Sequence, residues 1–273
     1  MNIALPLTQY SNEPRPSSID LPLRRPRLCG IHSLYDQVAV EYSRDAPKFR
    51  DDVISRPLIV ELVKSMGSGL DIIDVGCGDG HITRLISSFA GRVEGIDISE
   101  SMLMQAQQKS QRFRNVSYRK GNFLNLEAHF PKRKFDVAIG IYAFCCVKDQ
   151  NQLDWAFRSI YQILKHGGTA IIQVPDENEA LSPNRSKWIQ ESSTATYATG
   201  DLVSRRLRTV DDDWVQVARY FHPMEDYFNA IQKVGFHIEH ILDPRASSEL
   251  INEYPSLLHE SEVSSSRVFV LKK

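Results

Sequence analysis

What this 273-residue chain lacks excludes several kinds of protein at once. Its four cysteines, Cys29, Cys77, Cys145 and Cys146, include no C-x-x-C and no paired spacing. That removes a disulfide framework and a zinc ribbon, and fits reduced thiols in a cytoplasmic protein. The chain has no run of about 18 apolar residues and no uninterrupted apolar stretch at its N-terminus, so neither a transmembrane helix nor a secretory signal is expected. A charge surplus is missing too: 33 Lys and Arg stand against 34 Asp and Glu, for a formal net charge of -1. Nothing global therefore attracts a nucleic acid or an anionic membrane, and neither is expected as a partner. The length suits one large α/β domain and leaves little room for a second.

What is present begins with an arm. Residues 1–28 hold five of the 13 prolines and no sustained periodicity, and the basic cluster Arg24, Arg25 and Arg27 reads as part of a flexible, solvated tail. From residue 31 to 49 the pattern becomes helical, with Leu34, Tyr35, Val38, Ala39 and Tyr42 on one face. A second helix over 55–66 presents Leu58, Leu62 and Val63 before Gly67 and Gly69 end it.

The stretch that organises the chain follows, LDIIDVGCGDGHITRLISSFAGRVEGID over 70–97. Leu70, Ile72, Ile73 and Val75 make a strand; Gly76, Gly78 and Gly80 punctuate a turn; Ile82, Leu85, Ile86 and Phe89 recur at helical spacing; and 92–96 alternates into a second strand ending at Asp97. A βαβ unit with a glycine turn is a nucleotide-site geometry, because bare backbone and helix amides face the ligand and an acid on the second strand can accept from ribose hydroxyls. The dinucleotide fingerprint G-x-G-x-x-G is not met: after Gly76-Cys77-Gly78-Asp79 the third glycine, Gly80, comes one residue early.

This turn, opened by the acidic Asp74, resembles motif I of the class I S-adenosylmethionine-dependent methyltransferases. Four further segments carry the resemblance: Tyr35-x-x-x-Ala39-x-x-Tyr42, GIDISESML over 95–103, FDVAIG over 135–140 and LKHGG over 164–168. The resemblance extends over roughly 35–273. The resemblance implies a Rossmann-like seven-stranded mixed sheet in the order 3-2-1-4-5-7-6, the last strand antiparallel, with helices on both faces. It also implies one methyltransferase domain over 29–273, with cover helices over 31–66 and a substrate cap inserted over about 176–213. S-adenosylmethionine is the implied cofactor, held by Asp74, Gly76, Cys77, Gly78, Gly80, His81, Asp97, Ile98, Met102, Asn122, Phe123 and Ile141. Asn122 stands where the family usually has an aspartate that accepts from the adenine amino group; its amide oxygen can still accept, without charge assistance. Tyr35, Tyr42, Tyr142, Cys145, Trp188 and Tyr220 are the implied substrate-facing residues. Cys145 and Cys146, with no third ligand in local register, read as small pocket lining, and no metal is expected.

Methyl transfer from a sulfonium is an in-line displacement that needs alignment above all, and for some nucleophiles a base with a pKa near ambient pH. His222, at the end of the strand over 215–221 that leaves the cap, is the first candidate base, with His32 and Tyr35 as the others. His81 reads as a positioning group. The expected activity is methylation of a small molecule, secondary metabolites included, at oxygen, nitrogen or carbon. RNA or protein methylation and a non-catalytic cofactor-binding regulator remain the rival readings, and a homo-oligomer is left open.

Overall fold

Continuous burial along the inner strands requires a sheet covered on both sides. In the computed structural model, which describes residues 31–43, 48–176, 189–191, 197–209 and 211–273, seven strands form that sheet. They are β1 (Asp71–Val75), β2 (Arg92–Asp97), β3 (Val116–Lys120), β4 (Phe135–Ile141), β5 (Leu164–Pro175), β9 (His237–Leu242) and β10 (Ser266–Lys272), in the order β3-β2-β1-β4-β5-β10-β9. β10 runs antiparallel to both neighbours and the remaining pairs are parallel. The expected order and polarity are therefore the observed ones.

One face carries Ile73, Val75, Ala138, Ile172, Phe269 and Leu271, packed with Leu153, Phe157 and Ile160 of the helix Gln150–Ile163 and Tyr227 and Ile231 of the helix Met224–Val234. The other carries Ile72, Val137, Ile139, Ile171 and Val268, packed with Ile59 and Val63 of the helix Ser55–Ser65 and Ile82 and Ile86 of the helix His81–Ile86. In Ser55–Ser65 the fully buried apolar residues are Ile59 and Val63; Val63 is inward as expected, whereas Leu58 and Leu62, each one residue earlier, are only partly buried. Five of its positions, Leu58, Ile59, Val60, Leu62 and Val63, are apolar, so sequence alone does not say which face is inward.

Two expectations are corrected. The single pattern over 31–49 is two short helices, Ile31–Gln37 and Ala39–Tyr42, after which Phe49 bridges Thr209. The strand expected over 215–221 is observed as β8 (Trp214–Tyr220), but it does not stand alone: β6 (Ile189–Glu191) and β7 (Leu202–Arg208), which no periodicity marked, join it in a separate antiparallel sheet. In β7 the consecutive residues Val203, Ser204 and Arg205 are all buried, so the two-residue alternation that reveals a strand is hidden by polar side chains. The 1–28 arm and Trp188 lie outside the described residues, among which no helix is long and apolar enough to cross a membrane.

Phe157 sits at the centre of the larger core, fully buried, its ring 4.7 Å from that of Phe144. Phe157→Ala is expected to cost about 3–5 kcal/mol, measured by urea unfolding with an unchanged denaturant slope.

Candidate cofactor and acceptor site

The strands of the large sheet end in a common rim, where parallel α/β folds place their ligands. At that rim Gly76 N and Cys77 N both donate to the Ile96 carbonyl, at 2.8 and 3.2 Å, which ties the glycine turn to β2. Asp97 closes the loop: its Oδ2 accepts from Gly78 N and its Oδ1 from Ser99 N, each at 2.8 Å. Desolvation raises the Asp97 pKa, against the backbone amides of Ser99, Gly78 and Ile98, which lower it. The Ser99 hydroxyl accepts from Met102 N as helix cap and donates to Asp36 Oδ1 at 2.6 Å. Ile31–Gln37 is thereby fastened over the rim. On its other side the Tyr35 hydroxyl donates to the Ala218 carbonyl of β8 at 3.2 Å, and Tyr35, Val38 and Tyr42 pack on Phe49, Val215 and Val217.

These contacts enclose a cavity of about 330 Å³. Of the residues expected to hold the cofactor, Gly76, Gly78, Asp97, Ile98, Met102, Asn122, Phe123 and Ile141 line it. Asp74, Cys77, Gly80 and His81 do not; they are buried away from it. Of the residues expected to face the acceptor, Tyr35, Tyr42, Tyr142 and Tyr220 line the cavity, while Cys145 faces an adjoining one. Sequence reading did not single out Lys148 and Gln152 as cavity residues, although they also reach it; they follow β4 where no periodicity marks them.

The base candidates separate clearly. His32 lines the cavity. Tyr35 does too, but burial raises its phenol well above its ordinary pKa, so it stays a proton donor to Ala218. His222 is absent from the wall. Its Nε2 donates to the Val147 carbonyl at 2.8 Å and its Nδ1 lies 3.3 Å from Asp226 Oδ2, with no side-chain exposure. It braces the cavity residue Val147 against the helix Met224–Val234. Neither ring nitrogen is left over for an acceptor.

The donor set suits S-adenosylmethionine. A Cβ added at Gly78 would meet nothing within 4 Å, so the bare backbone there borders open volume, whereas one at Gly76 would meet Ala143 Cβ at 2.6 Å. Asp97 keeps lone pairs beyond those used by the two amides and can accept from a ribose diol. Asn122 Oδ1 accepts from Leu124 N at 2.9 Å and likewise retains acceptor capacity beside Phe123. At the opposite wall Tyr142 takes a left-handed backbone, φ 55°, a conformation that persists only where surroundings enforce it. Its N–H donates to the Gln173 carbonyl at 2.9 Å and its hydroxyl accepts from Gln173 Nε2 at 3.1 Å.

With that geometry in place, comparisons with known proteins define the class. A family profile described as "Methyltransferase domain" matches residues 66–224, more than half of the chain. The chain belongs to this family and carries a class I S-adenosylmethionine-dependent methyltransferase domain. It is 26% identical over 156 residues to a demethylmenaquinone methyltransferase of Tropheryma whipplei, covering 56% of this chain and 62% of that one. It is 35% identical over 105 residues to a sterol 24-C-methyltransferase of Eremothecium gossypii, covering 37% and 27%. The matched regions thus span less than two thirds of these curated relatives. Among solved structures, the CcbJ methyltransferase of Streptomyces caelestis superposes with a TM-score of 0.61 at 16% identity, over 89% of this chain and 97% of that one. The N-methyltransferase NodS of Bradyrhizobium japonicum, in complex with S-adenosyl-L-homocysteine, gives 0.57 at 14%, over 88% and 98%. These two share the fold.

Asp74 precedes the turn, with Thr83 Oγ1 donating to its Oδ2 at 2.6 Å. Desolvation raises its pKa from 3.8 to about 7, the Thr83 bond opposing and the Asp97 charge adding to the rise. Folding then takes up a proton between those values, so stability is full below about pH 4 and falls as pH rises toward 7. Asp74→Asn, which keeps an acceptor for Thr83, is expected to remove that slope, on the order of 2–4 kcal/mol between pH 4 and 8, in chemical denaturation repeated across pH.

Proposed function

We propose that this protein transfers a methyl group from S-adenosylmethionine to a nucleophilic atom of a small molecule. The observation that carries the reading is one cavity lined jointly by the Gly76–Gly78 turn, Asp97 and Asn122 on one side and by Tyr35, Tyr42, Tyr142 and Tyr220 on the other. A donor side and an acceptor side thus share one cavity. Its volume falls within the range of small-molecule sites, and the cover helix and cap sheet close over the strand ends where a macromolecule would need an open surface. The demethylmenaquinone and sterol methyltransferases among the relatives, by their names, also methylate small molecules.

Bound S-adenosylmethionine supplies an electrophilic sulfonium methyl group. In this reading Asp97 accepts from its ribose hydroxyls, Asn122 and Phe123 face the adenine, Ile98 and Met102 provide apolar contact, and the turn at Gly76 and Gly78 takes the methionine end. Tyr35, Tyr42 and Tyr142 exclude water and orient the acceptor, which is the larger part of the work in an in-line displacement. Where the nucleophile carries a proton, His32 is the cavity residue suited to receive it. His222 acts as a positioning residue through Val147.

Two measurements test this. Titration calorimetry should show S-adenosylhomocysteine binding that weakens about 10–100-fold in Asp97→Ala, as expected for a lost charged acceptor; an unchanged affinity removes Asp97 from the ribose role. His32→Gln should lower kcat while leaving S-adenosylhomocysteine affinity intact. An unaltered kcat would exclude His32 as base.

A further inference from the structure

One wall of the cavity is built by the short turn Phe123–Asn125, which follows β3, and by the start of the helix Gln150–Ile163. The two elements share a core: Phe123 and Leu124 pack against the cluster that holds Leu153 and Phe157, and Leu126 N donates to Ser159 Oγ at 2.7 Å. Asn122, Phe123 and Leu124 therefore line the cavity together with Gln152. Gln152 lies in the first turn of the helix that Asp149 caps, its N–H donating to Asp149 Oδ1 at 2.9 Å. Its side chain folds back over that start, where its Oε1 accepts from Lys148 N at 3.0 Å. The cap fixes the same segment from the other side. His222 Nε2 donates to the Val147 carbonyl at 2.8 Å, and Gly200 is so close to the Lys148 carbonyl that an added Cβ would stand 2.8 Å from it.

These bonds settle the orientation of two amides. A backbone N–H can only donate, so the atom facing Lys148 N is the oxygen of Gln152, and the atom facing Leu124 N is the oxygen of Asn122. The amide nitrogens are left over: among the described residues neither Gln152 Nε2 nor Asn122 Nδ2 meets an acceptor. Gln152, half-buried in the wall, thus offers two N–H donors on a side chain already held at its other end, so little further rotamer freedom is lost in using them. A purine has the matching chemistry. Adenine carries acceptor nitrogens along its edge beside an amino donor, and amide side chains pair with it by accepting from the amino group and donating to a ring nitrogen. An aspartate in place of Asn122 could only accept.

We propose that Gln152 selects the cofactor's base, its Nε2 donating to a ring nitrogen of adenine while Asn122 Oδ1 accepts from the amino group. The proposal rests on the methyltransferase reading above and deepens it: the base is read by two neutral amides from two elements that share a core, in place of a carboxylate. The residue it adds comes from the helix after β4, outside the segments that carry the sequence resemblance.

Titration calorimetry on the full chain tests this with S-adenosylhomocysteine and its monodeaza analogues, each with one acceptor nitrogen of the adenine ring replaced by C–H. One analogue is expected to bind wild type about five- to tenfold more weakly than the parent, as for one neutral hydrogen bond, and to match the parent in Gln152→Leu. Gln152→Glu separates base reading from a purely structural role. It keeps an oxygen for Lys148 N but sets a carboxylate oxygen where Nε2 stood, so S-adenosylhomocysteine affinity should fall about tenfold or more while the urea midpoint is unchanged. An affinity unaltered in Gln152→Glu, or the lack of any analogue whose penalty vanishes in Gln152→Leu, overturns the assignment. Should Gln152→Leu fail to fold, Gln152→Glu and the same analogue comparison made in it decide alone. Wild type that does not bind S-adenosylhomocysteine removes the methyltransferase reading and this assignment together; wild type that binds it with penalties independent of Gln152 removes the assignment alone.

Discussion

A single carboxylate, Asp97, holds the site together. It sits where β2 ends, and its two oxygens take the amides of Gly78 and Ser99, so the glycine turn and the start of the helix Glu100–Lys109 are referenced to one group. The turn is also anchored to the β2 backbone through Ile96. Ser99 passes the constraint on to Asp36, and Tyr35 one residue away passes it to the cap at Ala218. Four segments distant in sequence thus meet through a short chain of hydrogen bonds that begins at one acid. Because charged acceptors make the stronger hydrogen bonds, this acid can organise the floor and retain acceptor capacity for a ligand.

Around that anchor the chain divides its labour. The large sheet supplies rigid strand ends, the glycine turn and Tyr142; the N-terminal helices and the cap sheet supply walls that face them. Each wall is small, and neither has a core of its own comparable with the two clusters of the large domain. They are stabilised by packing on one another, Tyr35, Val38 and Tyr42 against Val215 and Val217, and by polar ties to the floor. Such an arrangement lets residues of the cap wall change without disturbing the glycine turn and strand ends that face them.

The histidines show how far side-chain chemistry depends on tertiary placement. His222 and His32 are both flanked by cleft-associated segments in sequence. In the fold, His222 turns inward, donates to Val147 and becomes a strut, whereas His32 remains on the cavity wall. Tyr35 lines the cavity but is committed to Ala218, which suits shielding and positioning rather than proton abstraction.

Sequence by itself determined the frame. Short apolar strands, helical stripes, three glycines at fixed spacing and an acid at the end of β2 are local signals, and each predicts its element because backbone geometry and burial act over a few residues. That reading placed the seven strands and the turn, with Asp97 at the end of β2, and named eight of the residues that line the cavity. Only the tertiary structure decided which residues line the cavity and which are buried away from it, as with Asp74 and His81. It also decided which face of Ser55–Ser65 is inward, and that the stretch around Arg205 is a strand. These depend on neighbours far away in the chain. A buried arginine or a half-apolar helix has no periodic signature, and the partner that fixes its orientation, whether Glu260 for Arg50 or β8 for β7, is brought near only when the domain closes on itself.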